Sequence, residues 1–242
     1  MGRRASRSSL LIVTFACAAL GACSSDAAVN DGATLTIKGS ASAPPSVTVV
    51  AGNRLASASA ADYATGDPSS LTVGMYALYI SQNADCSAPI LVEDHGTTVQ
   101  PKDFVGNPVL FSGSPANGSY KCLMIRMSDV LHFTPATTFG SCTAGQTYFG
   151  DIYRDGENDW KDKDGATIVG HGTDESPVDD HVTIFITRDP SAVMARGVSE
   201  HQIIPLDGDL VVPGHTTFYW NGQGSVIDYG SCGINPGRPA FR

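Results

Sequence analysis

Positions 151–180 carry ten acidic residues and three basic ones, a net charge of −7. Inside this window Asp159-Trp160-Lys161-Asp162-Lys163-Asp164-Gly165 spaces its carboxylates two and three positions apart ahead of a glycine. Clustered carboxylate oxygens repel one another unless a cation neutralises them, and a spaced Asp set running into Gly is the chemistry of a calcium loop. The EF-hand frame does not fit. With Gly165 at its sixth position, Trp160 falls at the first and His171 at the twelfth, where Asp and Glu are required. A calcium site outside that frame would use Asp155, Asp159, Asp162 and Asp164. The competing reading is a solvated acidic loop. No cofactor other than Ca²⁺ is suggested.

Other chemistry is sparser. The histidines are His95, His132, His171, His181, His201 and His215, and none forms an HxH, HxxH or HExxH spacing of a zinc enzyme. His171, Asp179, Asp180 and His181 are close enough in sequence to converge in a fold. There is no Gly-x-Ser-x-Gly elbow, GxGxxG or P-loop. Tyr219-Trp220-Asn221 and Trp160 suit either sugar stacking or core packing, and aromatics at strand positions favour the core. An enzyme is therefore the weaker expectation. Its form would be a hydrolase of envelope or extracellular polymers, with a pair of carboxylates of the 151–180 window about 5–10 Å apart in a cleft for acid/base work.

The elements that must position these groups read as strands. From residue 118 to 134, Leu123, Ile125, Met127, Leu131 and Phe133 alternate on one face, and Tyr120, Cys122, Met124, Arg126, Ser128, Val130 and His132 on the other. A run this long exceeds the usual strand, so a bend or bulge is expected at Ser128-Asp129, with two strands sharing the run. Further strands are expected at 34–37, 46–50, 71–81, 89–93, 108–111, 181–188, 202–206, 209–212, 216–220 and 225–229. Residues 56–64 read as a turn or two of helix, or as loop. The turn at Pro115-Ala116-Asn117-Gly118 predicts a hairpin between 109–112 and the central run. Many short strands, frequent turns and no long 3.6-residue period predict an all-β fold, an antiparallel β-sandwich of immunoglobulin- or transthyretin-like kind, with a β-barrel as the alternative. The 242 residues suffice for one such domain.

The amino terminus is set apart. Arg3, Arg4 and Arg7 precede a short apolar run, residues 10–20, the layout of a secretory signal peptide and too short for a resident membrane helix. It ends in Leu20-Gly21-Ala22-Cys23, which resembles the lipobox of bacterial lipoproteins. Gly21 is a less common residue there than Ala or Ser. The resemblance implies cleavage before Cys23, acylation (palmitate included) of Cys23, and a membrane anchor. Ser24, in place of the Asp that retains lipoproteins at the inner membrane, implies the outer membrane, on its periplasmic or surface face. Several acyl chains, at about 0.8 kcal/mol per buried CH₂, would make that anchor nearly permanent. The segment Gly118-Ser-Tyr-x-x-Leu-x-Ile-x-x-Ser-Asp129 also resembles the central strand of uncharacterised β-rich bacterial lipoprotein domains. The expected organisation is a signal peptide over 1–22, a lipidated tether over 23–32, and one β-sandwich domain over 33–242.

Loss of the signal leaves 12 basic against 24 acidic residues, a charge of −12. That balance argues against nucleic acid as a partner and leaves an unidentified protein or carbohydrate ligand. A non-enzymatic binding, adhesion or structural β-domain of the cell envelope is the preferred reading. Cys86, Cys122, Cys142 and Cys232 remain, an even number that reads as two disulfides in an exported chain. Three pairings are open, and Cys122–Cys142 with Cys86–Cys232 is the expected one.

The calcium reading makes a thermal prediction. Millimolar calcium, at a hundred times its Kd, should raise stability over the EGTA-treated protein by about 2.7 kcal/mol, and magnesium should not. A melting temperature that ignores calcium would remove this site.

Overall fold

The computed structural model describes residues 33–43, 63–151, 163–165, 181–236 and 239–242. In chain order its strands are β1 (Leu35–Ser40), β2 (Thr65–Gly66), β3 (Pro68–Ser81), β4 (Ile90–Asp94), β5 (Gln100–Asp103), β6 (Val109–Gly113), β7 (Gly118–Tyr120) and β8 (Cys122–Pro135). They continue with β9 (Tyr148–Asp151), β10 (His181–Thr187), β11 (Ile203–Pro205), β12 (Leu210–Val212), β13 (Gly214–Tyr219), β14 (Val226–Asp228), β15 (Cys232–Ile234) and β16 (Ala240–Phe241). One short helix, α1 (Pro190–Met194), is capped by the Asp189 carboxylate, which accepts from the Ala192 N–H at 3.0 Å.

The fold is an all-β sandwich. A four-stranded sheet, β16-β13-β1-β6, packs on a seven-stranded one whose main path is β11-β10-β8-β3-β4, and neither closes into a barrel. β5 joins the second sheet through β3, and β9 joins it through β8. Pairing is antiparallel except for β1 with β13 and β10 with β11, which are parallel. Between the sheets lie Leu35, Ile37, Phe111 and Phe218 from one side and Leu78, Ile80, Leu123, Ile125, Met127 and Phe133 from the other. The alternation read in the central run is therefore the core face of β8. Its other face is covered at the Cys122 end, while His132 further along is exposed. Met124 and Cys122 join Ala77, Tyr79, Phe185 and Ile203 under Val193 of α1, Val198 and Cys86, a second small core on the outside of the larger sheet.

The expected bulge is present. Val73 opposes Leu131 and Met75 opposes Met127, so Gly74 alone faces Ser128, Asp129 and Val130. The strand bulges without splitting in two, because the Ser128 hydroxyl bonds both the N–H and the carbonyl of Val130, each at 3.1 Å. Only glycine fits opposite. A Cβ on Gly74 would run into Val99 and come within 3.2 Å of the Ser128 Cβ.

Two expectations are corrected. Residues 109–112 form no hairpin with the central run: β6 pairs with β1 in the other sheet, and β7 pairs with β12. The turn at 115–118 is instead a crossover between sheets. The Tyr120 hydroxyl donates back to the Ala116 carbonyl at 2.7 Å, pinning that crossover as tyrosine corners do in other sandwiches. The disulfides are Cys86–Cys122 and Cys142–Cys232, not the expected pairs. Cys122 opens β8 and Cys142 follows its end, so fourteen residues of extended strand, about 45 Å, keep them apart. Cys86 instead lies just past Ser81, the residue that opposes Cys122. Strand 46–50 and most of 56–64 lie outside the described residues. β2, β5, β9, β15, β16 and α1 are additional to the expected elements.

The sandwich has two distinct ends. At the near end stand Leu35, Gly113, Gly214 and Cys122, and at the far end Ser40, Tyr219, Pro68 and Pro135. Each end has one disulfide. The bridges close intervals of 36 and 90 residues. In the chain-entropy treatment these contribute about 4 and about 5 kcal/mol. The Cys142→Ala/Cys232→Ala variant should thus melt lower than Cys86→Ala/Cys122→Ala in calorimetry; the reverse order would show that local packing, not loop length, sets the loss.

Candidate functional site

The acidic window is attached to the larger sheet in a specific way. β3 covers one edge of β8 over its whole length, so β9 and β10 share the other edge. Asp151 opposes Val130 and His181 opposes Ser128, both antiparallel. One residue of β8, Asp129, lies between those partners. On the facing side the interval holds residues 152–180, twenty-nine where one would keep the ladder continuous. β9 and β10 are one strand in two parts, and the acidic window is an excursion of twenty-eight extra residues sprung from the bulge.

Its socket is polar and tightly placed. Asp129 is only 2% exposed. Three residues earlier on β8, an Arg126 Nη2 lies 2.6 Å from His181 Nε2, and the guanidinium carbon stands 5.9 Å from the centre of the Tyr76 ring. Tyr76 and His181 meet edge to face at 5.9 Å. The Arg126 Nε is buried and has no hydrogen-bond partner among the described residues. A second bulge brings Tyr76 there: Met75 opposes Met127 and Ala77 opposes Arg126, leaving Tyr76 as the extra residue. A buried-edge guanidinium at the foot of a segment with net charge −7 is electrostatically complementary to it.

Residues 163–165 touch the sheet at a second place. The Lys163 ammonium lies 5.8 Å from the centre of the Tyr79 ring, and the Asp164 carbonyl accepts from Arg196 Nη2 at 2.7 Å. The other arm of Arg196 donates to the Asp85 carbonyl at 2.6 Å, in the loop that holds Cys86. Hydrogen bonds from the Ser87 hydroxyl and N–H, with Arg196 nearby, hold the Asp85 carboxyl below the usual carboxylate range. Residues 163–165 are thus held against Tyr79 of β3 and, through Arg196, against the loop that carries the near-end disulfide.

Of the residues expected to bind calcium, Asp155, Asp159 and Asp162 lie outside the described residues, as do Trp160, His171, Asp179, Asp180 and Cys23. The Asp164 carboxylate pairs with Lys163. Among the described residues no three His, Cys, Asp or Glu side chains converge as metal ligands. Trp220 is 2% exposed and packs edge to face on Phe104 and Phe218, so it is core and no sugar platform. The remaining described histidines are dispersed: His95 stacks on Phe111, His201 stands by Glu200, and His132 and His215 lie on β8 and β13. The grouping of Tyr76, Arg126 and His181 was missed in sequence, although Arg126 is the one Lys or Arg within the β8 run.

No family model, no curated protein and no solved structure matches this chain. Among the described residues no helix is long and apolar enough to cross a membrane.

The register predicts that residues 152–179 are dispensable for folding. A chain joining Asp151 directly to Asp180 should keep the far-ultraviolet spectrum and both disulfides, losing only about 1–2 kcal/mol with the Lys163 and Arg196 contacts. Collapse of cooperative unfolding in that chain would show that the excursion is part of the core.

Proposed function

We propose that the protein is a lipid-anchored β-domain of the bacterial cell envelope, held at the outer membrane through Cys23, that acts by binding and not by catalysis. The observation that carries this reading is the pair of disulfides, one at each end of the sandwich. Such bridges persist in oxidising compartments, which an exported chain reaches. The lipobox-like Leu20-Gly21-Ala22-Cys23 supplies the anchor. β1 begins at Leu35, twelve residues beyond Cys23, so the tether reaches about 40 Å at most. The near end of the sandwich would therefore sit next to the lipid and the far end would look away from it. In this reading the acidic excursion, held to the domain at 163–165, is its specialised element, since insertions carried on a rigid scaffold are where binding functions concentrate.

Expressed in full in a bacterium, the chain should incorporate labelled palmitate and sediment with outer membranes, and Cys23→Ser should abolish both. Palmitate incorporation that survives Cys23→Ser, or a chain recovered wholly soluble, would sink the anchor.

A further inference from the structure

We propose that Tyr63 and Tyr229, at the far end of the sandwich, form a binding site for a neutral saccharide. The two rings meet edge to face with centroids 5.1 Å apart, yet Tyr63 is 41% and Tyr229 46% exposed. Neither ring serves the core, whose far end is filled by Phe104, Phe218 and Trp220.

The backbone holds both rings in place. Tyr63 precedes β2, and the adjacent Ala64 carbonyl accepts from the Asp228 N–H at 3.0 Å. Tyr229 follows β14, and its N–H donates to the Ser231 carbonyl at 3.0 Å across a turn in which Gly230 takes φ 90°. Its ring rests on Gly233, where a Cβ would come within 3.1 Å of the Tyr229 Cδ2. The Cys142–Cys232 bridge fastens this same turn to the loop that carries Ser141. Two half-exposed rings are thereby held at a disulfide-fixed turn.

A carboxylate precedes Tyr229 in the chain, on Asp228. The Asp228 Oδ1 accepts from the Ser141 hydroxyl at 2.6 Å and from the Gly230 N–H at 3.0 Å. These bonds hold its carboxyl below the usual carboxylate range, so it is an anion in neutral solution. Aromatic faces beside fixed acceptors suit a pyranose, which packs its C–H face on a ring and directs hydroxyls sideways. Size and charge narrow the occupant. Two half-exposed tyrosines offer about 200 Å². A stable protein interface takes about 800 Å² from each partner. The chain's net charge of −9 disfavours an anionic polymer. A short stretch of uncharged saccharide fits all three constraints.

This site rests on the binding reading above but not on the anchor, so retention on saccharide and membrane fractionation fail independently. The full chain in detergent micelles would be run over immobilised cellulose, chitin, starch and mannan, with soluble oligosaccharides of any retaining polymer then titrated by tyrosine fluorescence. The expected result is retention on at least one, weakened tenfold or more in Tyr63→Ala/Tyr229→Ala, unchanged in Phe149→Ala and in Cys23→Ser. Tyr63→Phe/Tyr229→Phe keeps the faces, guards against misfolding of the alanine variant, and should bind within a fewfold of the parent. Retention on none of the four, equal retention by a folded alanine variant, or loss in the phenylalanine variant would overturn the proposal. So would self-association, measured by sedimentation, that only the alanine variant abolishes, because the occupant would then be a second copy of the chain.

Discussion

The pairing of β3 with β8 is the constraint from which the rest of the structure follows. Each strand has fourteen residues, and their register runs from Pro68 opposite Pro135 to Ser81 opposite Cys122. Both strands are apolar on the inner face throughout and on the outer face toward the near end, so each of these needs its own cover. The four-stranded sheet covers the inner face. The outer face receives a makeshift cover, one turn of α1, Val198 and the loop of Cys86, fastened by the Cys86–Cys122 bridge. Too little apolar chain is available there for a full layer, and the disulfide offsets the deficit.

Two twisted strands of this length do not stay in strict register, and the mismatch is absorbed at three irregularities: Ser69 and Tyr76 are extra residues on β3, and Gly74 faces three residues of β8. Each bulge places polar groups where an unbroken ladder would have buried apolar ones. Gly74 facing three residues lets Ser128 and Asp129 turn inside the sheet, and the extra Tyr76 brings a ring beside Arg126. The excursion leaves and returns at that point because the ladder is already interrupted there. An insertion elsewhere along β9 and β10 would sever hydrogen bonds that the bulge has given up in advance. Structural need and a place for a specialised element coincide at Asp129.

The fold was largely legible because its signal is period two. Leu123, Ile125, Met127, Leu131 and Phe133 face the core as their spacing required, and the Ser128-Asp129 break announced the bulge. What failed was partner choice. The Asn117-Gly118 turn is good hairpin chemistry, yet Tyr120 bonds back to Ala116 and sends the chain to a different sheet. Turn residues report local φ and ψ, and which sheet a strand joins is decided by long-range burial. The disulfides failed for the same reason: closeness in sequence suggested Cys122 with Cys142, but an extended strand separates its two ends as far as a chain can. The Arg126, His181 and Tyr76 grouping was illegible in principle, since it depends on registers between three strands, two of them shifted by bulges.

The two ends of the sandwich differ in a way that bears on function. Exposed aliphatic residues stand toward both ends: Ile90, Leu91 and Val211 toward the near end, Val105 and Val109 toward the far end beside Pro68 and Lys38. The exposed tyrosine pair lies at the far end. Aliphatic exposure is therefore not sorted along the axis, and it sets no direction for the domain. What distinguishes the far end is that its exposed aromatic pair stands on a turn fixed by the Cys142–Cys232 bridge.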